Sequence, residues 1–262
     1  MIKNIFFDMD GTLINMDEDE FIKIHYNLVK RKFEEKGYEN ASEIAKVIMK
    51  GAYIMPQNDG SKLNSELFYE YCKDELNLNR QDIEEPMDEL YRTTYQEAKV
   101  TASKIDGMDD VLKTLKAKGK RLFLTTNPIF PLIGILGRLH WGEIDENNFV
   151  YISNYDICHY AKPNSNFYKE IMENYNLKPE ETMLIGNSYE DDILPAFDLK
   201  LRSYFITSNK GDKKVDMAGT HEDFRRFANE IKWIHWSHKF KPNCNAGGYR
   251  KALSRGKGTS FS

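Results

Sequence analysis

The stretch Ile5-Phe6-Phe7-Asp8-Met9-Asp10-Gly11-Thr12 joins an apolar run to two carboxylates, a glycine and a hydroxyl. Residues 2–8 lack the alternation of apolar and polar side chains that a half-exposed strand shows. This predicts a strand that is buried on both faces, as in a parallel sheet covered by helices. Asp8 and Asp10 then lie at the carboxyl end of the strand, where open parallel sheets bind their ligands.

The composition is that of a soluble globular protein, since 40% of the 262 residues are hydrophobic and 30% are charged. The apolar stretch 129–136 is interrupted by proline and glycine and is too short to cross a membrane. The apolar run before Asp8 is too brief for a signal peptide. The three cysteines are widely spaced, which favours a reducing cytoplasm over a disulfide framework or a zinc site. We therefore expect a cytoplasmic protein with no membrane partner.

The charge is distributed unevenly along the chain. Residues 231–262 contain seven Lys and Arg and no acidic residue, whereas the whole chain has a net charge of −4. The remaining residues are therefore strongly acidic, which disfavours binding to nucleic acid. Residues 237–262 are rich in Gly, Asn and Ser and show no apolar period, which predicts a basic, disordered tail.

Residues 16–100 follow a helical pattern, with apolar residues three and four positions apart and no convincing strand. Breakers separate the helices at Gly37, at 56–60 and at 77–79. We interpret this segment as an all-helical cap domain inserted into a core formed by residues 1–15 and 101–236.

After residue 107 the pattern alternates between helix and strand. The predicted strands are 121–125, 149–153, 182–185 and 203–206, and the predicted helices are 108–118, 164–175, 190–198 and 221–231. Such alternation implies right-handed crossovers and a parallel sheet between two layers of helices. The predicted fold is α/β, with a Rossmann-like three-layer core and a helical cap.

Chemically reactive side chains follow four of the predicted strands. Asp8 and Asp10 follow the first, Thr126-Asn127 the second, Lys162 the third, and the acidic stretch 186–192 the fourth. Clustered carboxylates repel one another unless a cation lies among them, and oxygen ligands suit Mg²⁺. Lysine, hydroxyl and amide donors nearby would form a pocket for a phosphoryl group.

The two carboxylates of the first segment suggest a reaction. One carboxylate can attack phosphorus if a metal and a lysine reduce the repulsion between the two anions. The second can protonate the leaving oxygen and later take a proton from the hydrolytic water. Asp8 is the predicted nucleophile and Asp10 the predicted general acid and base.

These motifs, in this order over roughly residues 1–210, resemble those of the haloacid dehalogenase superfamily of aspartyl-phosphate hydrolases. Asp8-Met9-Asp10-Gly11-Thr12 is similar to the first motif of that family. Thr126 resembles the hydroxyl of the second motif, and Lys162 in Ala161-Lys162-Pro163 resembles the lysine of the third. The resemblance implies that Thr126, Asn127 and Lys162 bind the substrate phosphate. An acid at position 10 points to phosphoester chemistry, because members that cleave carbon–halogen bonds lack it.

The stretch Gly186-Asn187-Ser188 through Asp192-Ile193 resembles the acidic fourth motif. The resemblance implies Mg²⁺ ligation by Asp8, the Asp10 carbonyl, Asn187 and Asp192, with Asp191 as an alternative to Asp192. The family usually has an aspartate where this chain has Asn187, whose amide oxygen can ligate but carries no charge.

The sequence therefore predicts a Mg²⁺-dependent hydrolase of a small phosphorylated metabolite. Two other interpretations remain open at this stage. One is a non-catalytic phosphate or nucleotide sensor, suggested by Asn187, and the other is a phosphosugar mutase that uses the same motifs.

Overall fold

The computed structural model describes residues 1–230. The predicted core residues 231–236 and the predicted basic tail 237–262 lie outside this range. The strands are, in chain order, β1 (Asn4–Phe7), β2 (Ile14–Met16), β3 (Ala102–Lys104), β4 (Arg121–Leu124), β5 (Tyr151–Ile152), β6 (Thr182–Gly186), β7 (Arg202–Ile206) and β8 (Met217–Gly219). The α-helices are α1 (Glu18–Glu35), α2 (Ala41–Gly51), α3 (Asn64–Leu76), α4 (Arg80–Arg92), α5 (Met108–Ala117), α6 (Leu132–Trp141), α7 (Ser165–Asn174), α8 (Leu194–Asp198) and α9 (His221–Glu230).

Six of the strands form one sheet in the order β5-β4-β1-β6-β7-β8, and every neighbouring pair in it is parallel. The strand β1 lies between β4 and β6, with Phe7 opposite Leu124 on one side and Ile185 on the other. The carboxyl ends of these three strands therefore meet at one edge. The predicted α/β fold with a Rossmann-like parallel sheet is confirmed.

The side chains of β1 explain why its sequence shows no polar alternation. Ile5 and Phe7 pack into a cluster with α5, α6 and α9 on one face of the sheet. Phe6 packs into a second cluster with α7 and α8 on the other face. All three side chains have no exposed surface. Both faces of the sheet are covered by helices, and this gives the three layers.

The chain leaves the core after β2 and returns at β3, and these two strands pair with each other as an antiparallel ribbon. Between them lie α1 to α4 and two 3₁₀ helices, Met55–Gln57 and Thr94–Thr101. Their apolar side chains form a separate buried cluster, which also takes in Trp141 and Tyr155. The boundaries predicted at 15/16 and 100/101 fall at or next to this ribbon.

The strands β2, β3 and β8 and the helix α6 were not predicted from the sequence. The ribbon strands are only three residues long, and β8 is an equally short edge strand. Helix α6 begins after Pro131, within the apolar stretch 129–136, for which the sequence pattern predicts neither a helix nor a strand. Of the helices within residues 1–230, none combines the length and the apolar character that crossing a membrane requires.

Candidate active site

Asp8 and Asp10 lie just beyond the carboxyl end of β1. The Asp8 amide donates to the Ile185 carbonyl at 2.9 Å, which extends the ladder with β6 by one residue and fixes the Asp8 backbone. The chain then turns at Gly11, whose φ of +77° lies in the left-handed region that favours glycine. The Asp8 side chain is 12% exposed and that of Asp10 is 17% exposed. Both predicted catalytic carboxylates therefore lie at the carboxyl edge of the central strand and are largely buried.

Lys162 joins two of the buried carboxylates. Its Nζ lies 2.6 Å from Asp8 Oδ1 and 2.7 Å from Asp192 Oδ1. Burial alone would lower the pKa of Lys162, but the carboxylates of Asp192 and Asp8 raise it well above its ordinary value. The lysine is therefore charged, and it lies where it can neutralise an anion that approaches Asp8.

Asp192 faces Lys162 and several hydrogen-bond donors. Its Oδ1 also accepts a hydrogen bond from the Tyr168 hydroxyl at 2.9 Å, and its Oδ2 accepts from the Ser188 amide at 3.1 Å. The side chain has no exposed surface. Asp192 thus acts as a counterion of the lysine, and its assignment to the metal stays a prediction.

The charges of this cluster do not cancel. Three largely buried carboxylates (Asp8, Asp10 and Asp192) face two buried cations, Lys162 and Arg138. Burial raises the pKa of Asp8 to about 7, a shift that Lys162 opposes and Asp192 and Asp10 reinforce. Burial also raises the pKa of Asp10, against the influence of Arg138 and Lys162. When all three carboxylates are ionised, the cluster carries a surplus negative charge, which a bound cation would compensate.

The predicted phosphate-binding residues of the second motif lie at the same edge. Thr126 is 2% exposed, and its carbonyl accepts a hydrogen bond from Ser153 Oγ at 2.7 Å. Asn127 Oδ1 accepts from the Lys162 amide at 3.2 Å and so holds the loop that carries the lysine. Asn127 and Lys162 are thus linked to Asp8, and Thr126 lies just beyond the end of β4, the strand next to β1.

The carboxamide of Asn187 lies against the first motif. One of its two terminal atoms, Oδ1 or Nδ2, points toward this motif and is called the inner atom. It is 3.1 Å from Asp8 Oδ2, 3.0 Å from the Asp10 carbonyl oxygen and 3.1 Å from Thr12 Oγ1. If Nδ2 is the inner atom, the amide donates hydrogen bonds to these oxygens. If Oδ1 is the inner atom, it faces the Asp8 and Asp10 oxygens without a hydrogen between them.

This second orientation fits a metal ion. Oxygen ligands of an octahedral Mg²⁺ at about 2.0–2.1 Å lie roughly 3 Å from one another. The inner atom of Asn187 has that spacing from Asp8 Oδ2 and from the Asp10 carbonyl oxygen. Within residues 1–230, no three His, Cys, Asp or Glu side chains are grouped to hold a metal. The residues thus fit Mg²⁺ through one carboxylate and two neutral oxygens.

Arg138 is a site residue that the sequence analysis missed. Its Nη1 lies 2.5 Å from Asp10 Oδ2, and the arginine is 4% exposed. It belongs to α6, where it is an isolated charge among apolar residues and glycines. A single arginine on an otherwise apolar helix face was the available signal, because a buried arginine needs an anionic partner.

The parallel sheet thus brings a buried carboxylate pair, a lysine and an amide together at its carboxyl edge. The chain belongs to the haloacid dehalogenase-like hydrolase family, whose model matches residues 2–198. No curated protein matches the chain in sequence.

The solved structures that share this fold include proteins named as dehalogenases and as phosphatases. L-2-haloacid dehalogenase from Xanthobacter autotrophicus is 13% identical and has a TM-score of 0.53, with 88% of this chain and 100% of that chain covered. YfnB from Bacillus subtilis, an assigned HAD-hydrolase solved bound to magnesium, is 16% identical with a TM-score of 0.53 and coverage of 87% and 99%. A HAD phosphatase from Thermococcus onnurineus is 18% identical with a TM-score of 0.56 and coverage of 86% and 97%. These similarities establish the fold, and the family establishes a hydrolase.

Proposed function

We propose that this chain hydrolyses a small phosphomonoester through an aspartyl-phosphate formed on Asp8. The observation that carries the proposal is the contact of Asp8 Oδ1 with Lys162 Nζ at 2.6 Å, next to a second carboxylate at Asp10. Lysine reduces the repulsion between a carboxylate nucleophile and a phosphoryl dianion. A halide leaves without a proton, whereas an alcohol needs one, and Asp10 would supply it. This favours phosphoester over carbon–halogen chemistry.

The reaction then has two steps. In the first, an Asp8 carboxylate oxygen attacks phosphorus, the bond between phosphorus and the alcohol oxygen breaks, and Asp10 gives its proton to that oxygen. In the second, Asp10 takes a proton from a water molecule that attacks phosphorus, and the bond to Asp8 breaks to release inorganic phosphate. Lys162, the Thr126 hydroxyl and the Asn127 amide would hold the phosphoryl oxygens in both steps.

Mg²⁺ is part of this proposal. The Asp8 carboxylate, the Asp10 carbonyl and the Asn187 amide oxygen would hold the ion, with Asp192 as the remaining predicted ligand. When bound, Mg²⁺ would neutralise charge on the phosphoryl group and on Asp8. We further propose a cytoplasmic small metabolite as the substrate, and not a nucleic acid or a membrane surface.

Phosphate release from p-nitrophenyl phosphate and from a panel of small phosphorylated metabolites tests the proposal, with Mg²⁺ and with EDTA. We expect Mg²⁺-dependent turnover, a phosphoryl adduct on the peptide that contains Asp8 after acid quenching, and loss of both in Asp8→Asn. Activity of Asp8→Asn within about tenfold of wild type would contradict the covalent mechanism. Release of halide from a 2-haloacid without release of phosphate would contradict the substrate class.

The contact between the Asn187 amide and Asp8 favours one alternative. With Nδ2 inward, the amide itself satisfies the oxygens that would hold the metal, and the chain would bind phosphate without turning it over. Binding of inorganic phosphate by calorimetry with no hydrolysis of any ester would support this sensor. Transfer of the phosphoryl group to an added sugar phosphate instead of water would support a mutase.

A further inference from the structure

Arg138 carries a buried charge whose ion-pair partner within residues 1–230 is Asp10. The arginine side chain is 5% exposed, and its guanidinium remains charged because its pKa is very high. A buried guanidinium without a counterion is strongly unfavourable, so the pair constrains the Asp10 side chain as well as the arginine. The contact is made through one nitrogen, Nη1, and one oxygen, Oδ2.

The same guanidinium also contacts the helical insertion. It lies over the ring of Phe130, 4.7 Å from the centroid, and 5.6 Å from the centroid of Phe21. Phe130 belongs to the core loop after β4, whereas Phe21 belongs to α1 of the insertion. The Phe21 and Phe130 rings are 5.9 Å apart. Arg138 is therefore held between aromatic rings from both parts of the chain.

The helix that carries Arg138 is packed closely against the insertion. A Cβ added to Gly134 would lie 2.9 Å from the Tyr91 ring, and one added to Gly137 would lie 3.1 Å from the Tyr95 ring. Trp141 Nε1 donates to Gln96 Oε1 at 2.7 Å. Small residues on α6 thus admit the rings of the insertion, and the position of the insertion bears directly on the arginine.

Two polar atoms of the ion pair have no hydrogen-bond partner. Asp10 Oδ1 and Arg138 Nε are both buried and unsatisfied in the described residues. A structural ion pair normally satisfies such atoms, often with two parallel hydrogen bonds. Here Oδ2 is anchored while Oδ1 is left free, which is what a carboxylate needs if one oxygen is to exchange a proton with the substrate.

We propose that Arg138 is a positioning residue that orients Asp10 for proton transfer when the helical insertion packs Phe21 against it. The proposal rests on the function proposed above. Arg138 holds Oδ2, the Phe21 and Phe130 rings hold the guanidinium between them, and Oδ1 would be the oxygen that gives the proton to the leaving group. Docking of the insertion and the proton-transfer step are coupled through this one side chain.

A comparison of two esters tests the coupling, because only one of them needs the proton. The p-nitrophenolate anion leaves unprotonated, whereas the alkoxide of an alkyl phosphate does not. We expect Arg138→Met to lower kcat for the alkyl phosphate by roughly tenfold or more beyond its effect on p-nitrophenyl phosphate, with KM little changed. Phe21→Leu should show the same selectivity to a smaller extent, and Arg138→Lys should restore part of the alkyl phosphate activity.

Asp10→Asn provides the reference. It should show the same selective loss, and adding Arg138→Met to it should lower kcat no further. Arg121→Met is the matched control, since Arg121 donates to the Asn4 side chain at 2.9 Å and lies 5.4 Å from the Phe123 centroid, away from Asp10. That control should leave the ratio of the two activities unchanged.

The outcomes separate the two proposals. Equal losses on both esters, or additive losses in the double variant, would overturn the role of Arg138 while leaving the phosphatase intact. If wild type hydrolyses neither ester, the proposed function fails and the coupling fails with it. If Arg138→Met does not fold, Phe21→Leu and Arg138→Lys decide, because equal losses on both esters in these variants overturn the coupling as well.

Discussion

Gly11 lies directly against the side chain of Asn187 at the carboxyl edge of the sheet. The neighbouring residue Thr12 also contacts Asn187, from which it is separated by 175 positions in the sequence. A Cβ added to Gly11 would lie 2.1 Å from Asn187 Nδ2, which is far closer than a Cβ atom approaches a neighbouring atom, so one of the two would have to move. Gly11 also has a φ of +77°. The glycine of the first motif therefore serves two purposes, since it turns the chain after Asp10 and leaves room for the amide of the fourth motif.

Gly11→Ala should abolish phosphate release and lower the melting temperature. Alanine in the left-handed region costs roughly 1–2 kcal/mol, and its methyl group must also displace Asn187. Gly37→Ala is the matched control, because Gly37 has a φ of +87° and no heavy atom within 4 Å of its added Cβ. The control should lose stability by the backbone strain alone and keep its activity. Equal activity losses in the two variants would contradict the contact.

Asp8→Asn should stabilise the metal-free protein at high pH. The pKa of Asp8 is raised from 3.8 to about 7 in the folded state. Above pH 3.8 the unfolded chain releases this proton and the folded chain keeps it, so wild-type stability falls as the pH rises from about 4 to about 7. Asparagine does not ionise and still leaves Lys162 paired with Asp192.

Melting temperatures in EDTA at pH 4.5 and pH 8 check this expectation. The variant should melt several degrees above wild type at the higher pH, with a much smaller difference at the lower one. Asp88→Asn, which changes an exposed carboxylate on α4, is the control and should show no such dependence. A variant that melts below wild type at pH 8 would show that Lys162 compensates the charge of Asp8, and it would contradict the raised pKa.

His25→Phe should make the protein more resistant to mild acid. His25 is 3% exposed, its Nδ1 has no hydrogen-bond partner, and it stacks on Phe21 with ring centroids 5.6 Å apart. Burial, with a contribution from Arg138, lowers its pKa from 6.5 to about 4. The unfolded chain therefore takes up this proton below pH 6.5, and the folded chain does so only near pH 4, so wild type loses stability across that range.

Phenylalanine keeps the stacked ring and removes the titration. The difference in melting temperature between pH 7 and pH 5 should be smaller in His25→Phe than in wild type. Parallel profiles for wild type and His25→Phe would contradict the lowered pKa.

Most of the sheet could be predicted because its strands are buried on both faces. The strands predicted at 121–125 and 182–185 correspond closely to β4 and β6. Helix α6 was not predicted, because Pro131 and Gly134 interrupt the apolar stretch 129–136 and Gly137 follows it. In the structure Pro131 precedes the first turn, and the glycines admit tyrosine rings of the insertion. In this stretch, proline and glycine therefore mark the start of a helix and its contacts with the insertion, and not an irregular segment.

The cluster around Asp8 could be predicted because each of its members follows a strand of one parallel sheet. Arg138 could not be predicted in the same way. It lies on a helix, 128 residues from Asp10, and its orientation depends on how the insertion packs on the core. The contacts of the Asn187 amide could not be predicted either. The sequence indicates an amide at this position, but not which oxygens the amide faces.

Introducing a charge at position 187 therefore tests most directly whether this residue is a metal ligand. An oxygen of Asn187→Asp would replace an amide atom that lies 3.1 Å from Asp8 Oδ2 and 3.0 Å from the Asp10 carbonyl oxygen. Without a cation, this carboxylate would repel both oxygens and add to the surplus negative charge of the cluster. With Mg²⁺ bound, it would contribute a full charge where wild type offers a neutral oxygen.

We expect Asn187→Asp to melt below wild type in EDTA and to gain more stability from Mg²⁺. The half-saturating Mg²⁺ concentration, measured both from melting temperature and from phosphatase rate, should fall by roughly tenfold if the added charge contributes about 1.4 kcal/mol. Asn127→Asp is the control for the melting titration, because it places a similar charge nearby on a residue whose Oδ1 accepts from the Lys162 amide at 3.2 Å. A fall in the Mg²⁺ requirement of both variants would indicate a general effect of charge. An equal or higher requirement in Asn187→Asp would show that residue 187 is not a ligand and that its amide serves as a donor to Asp8.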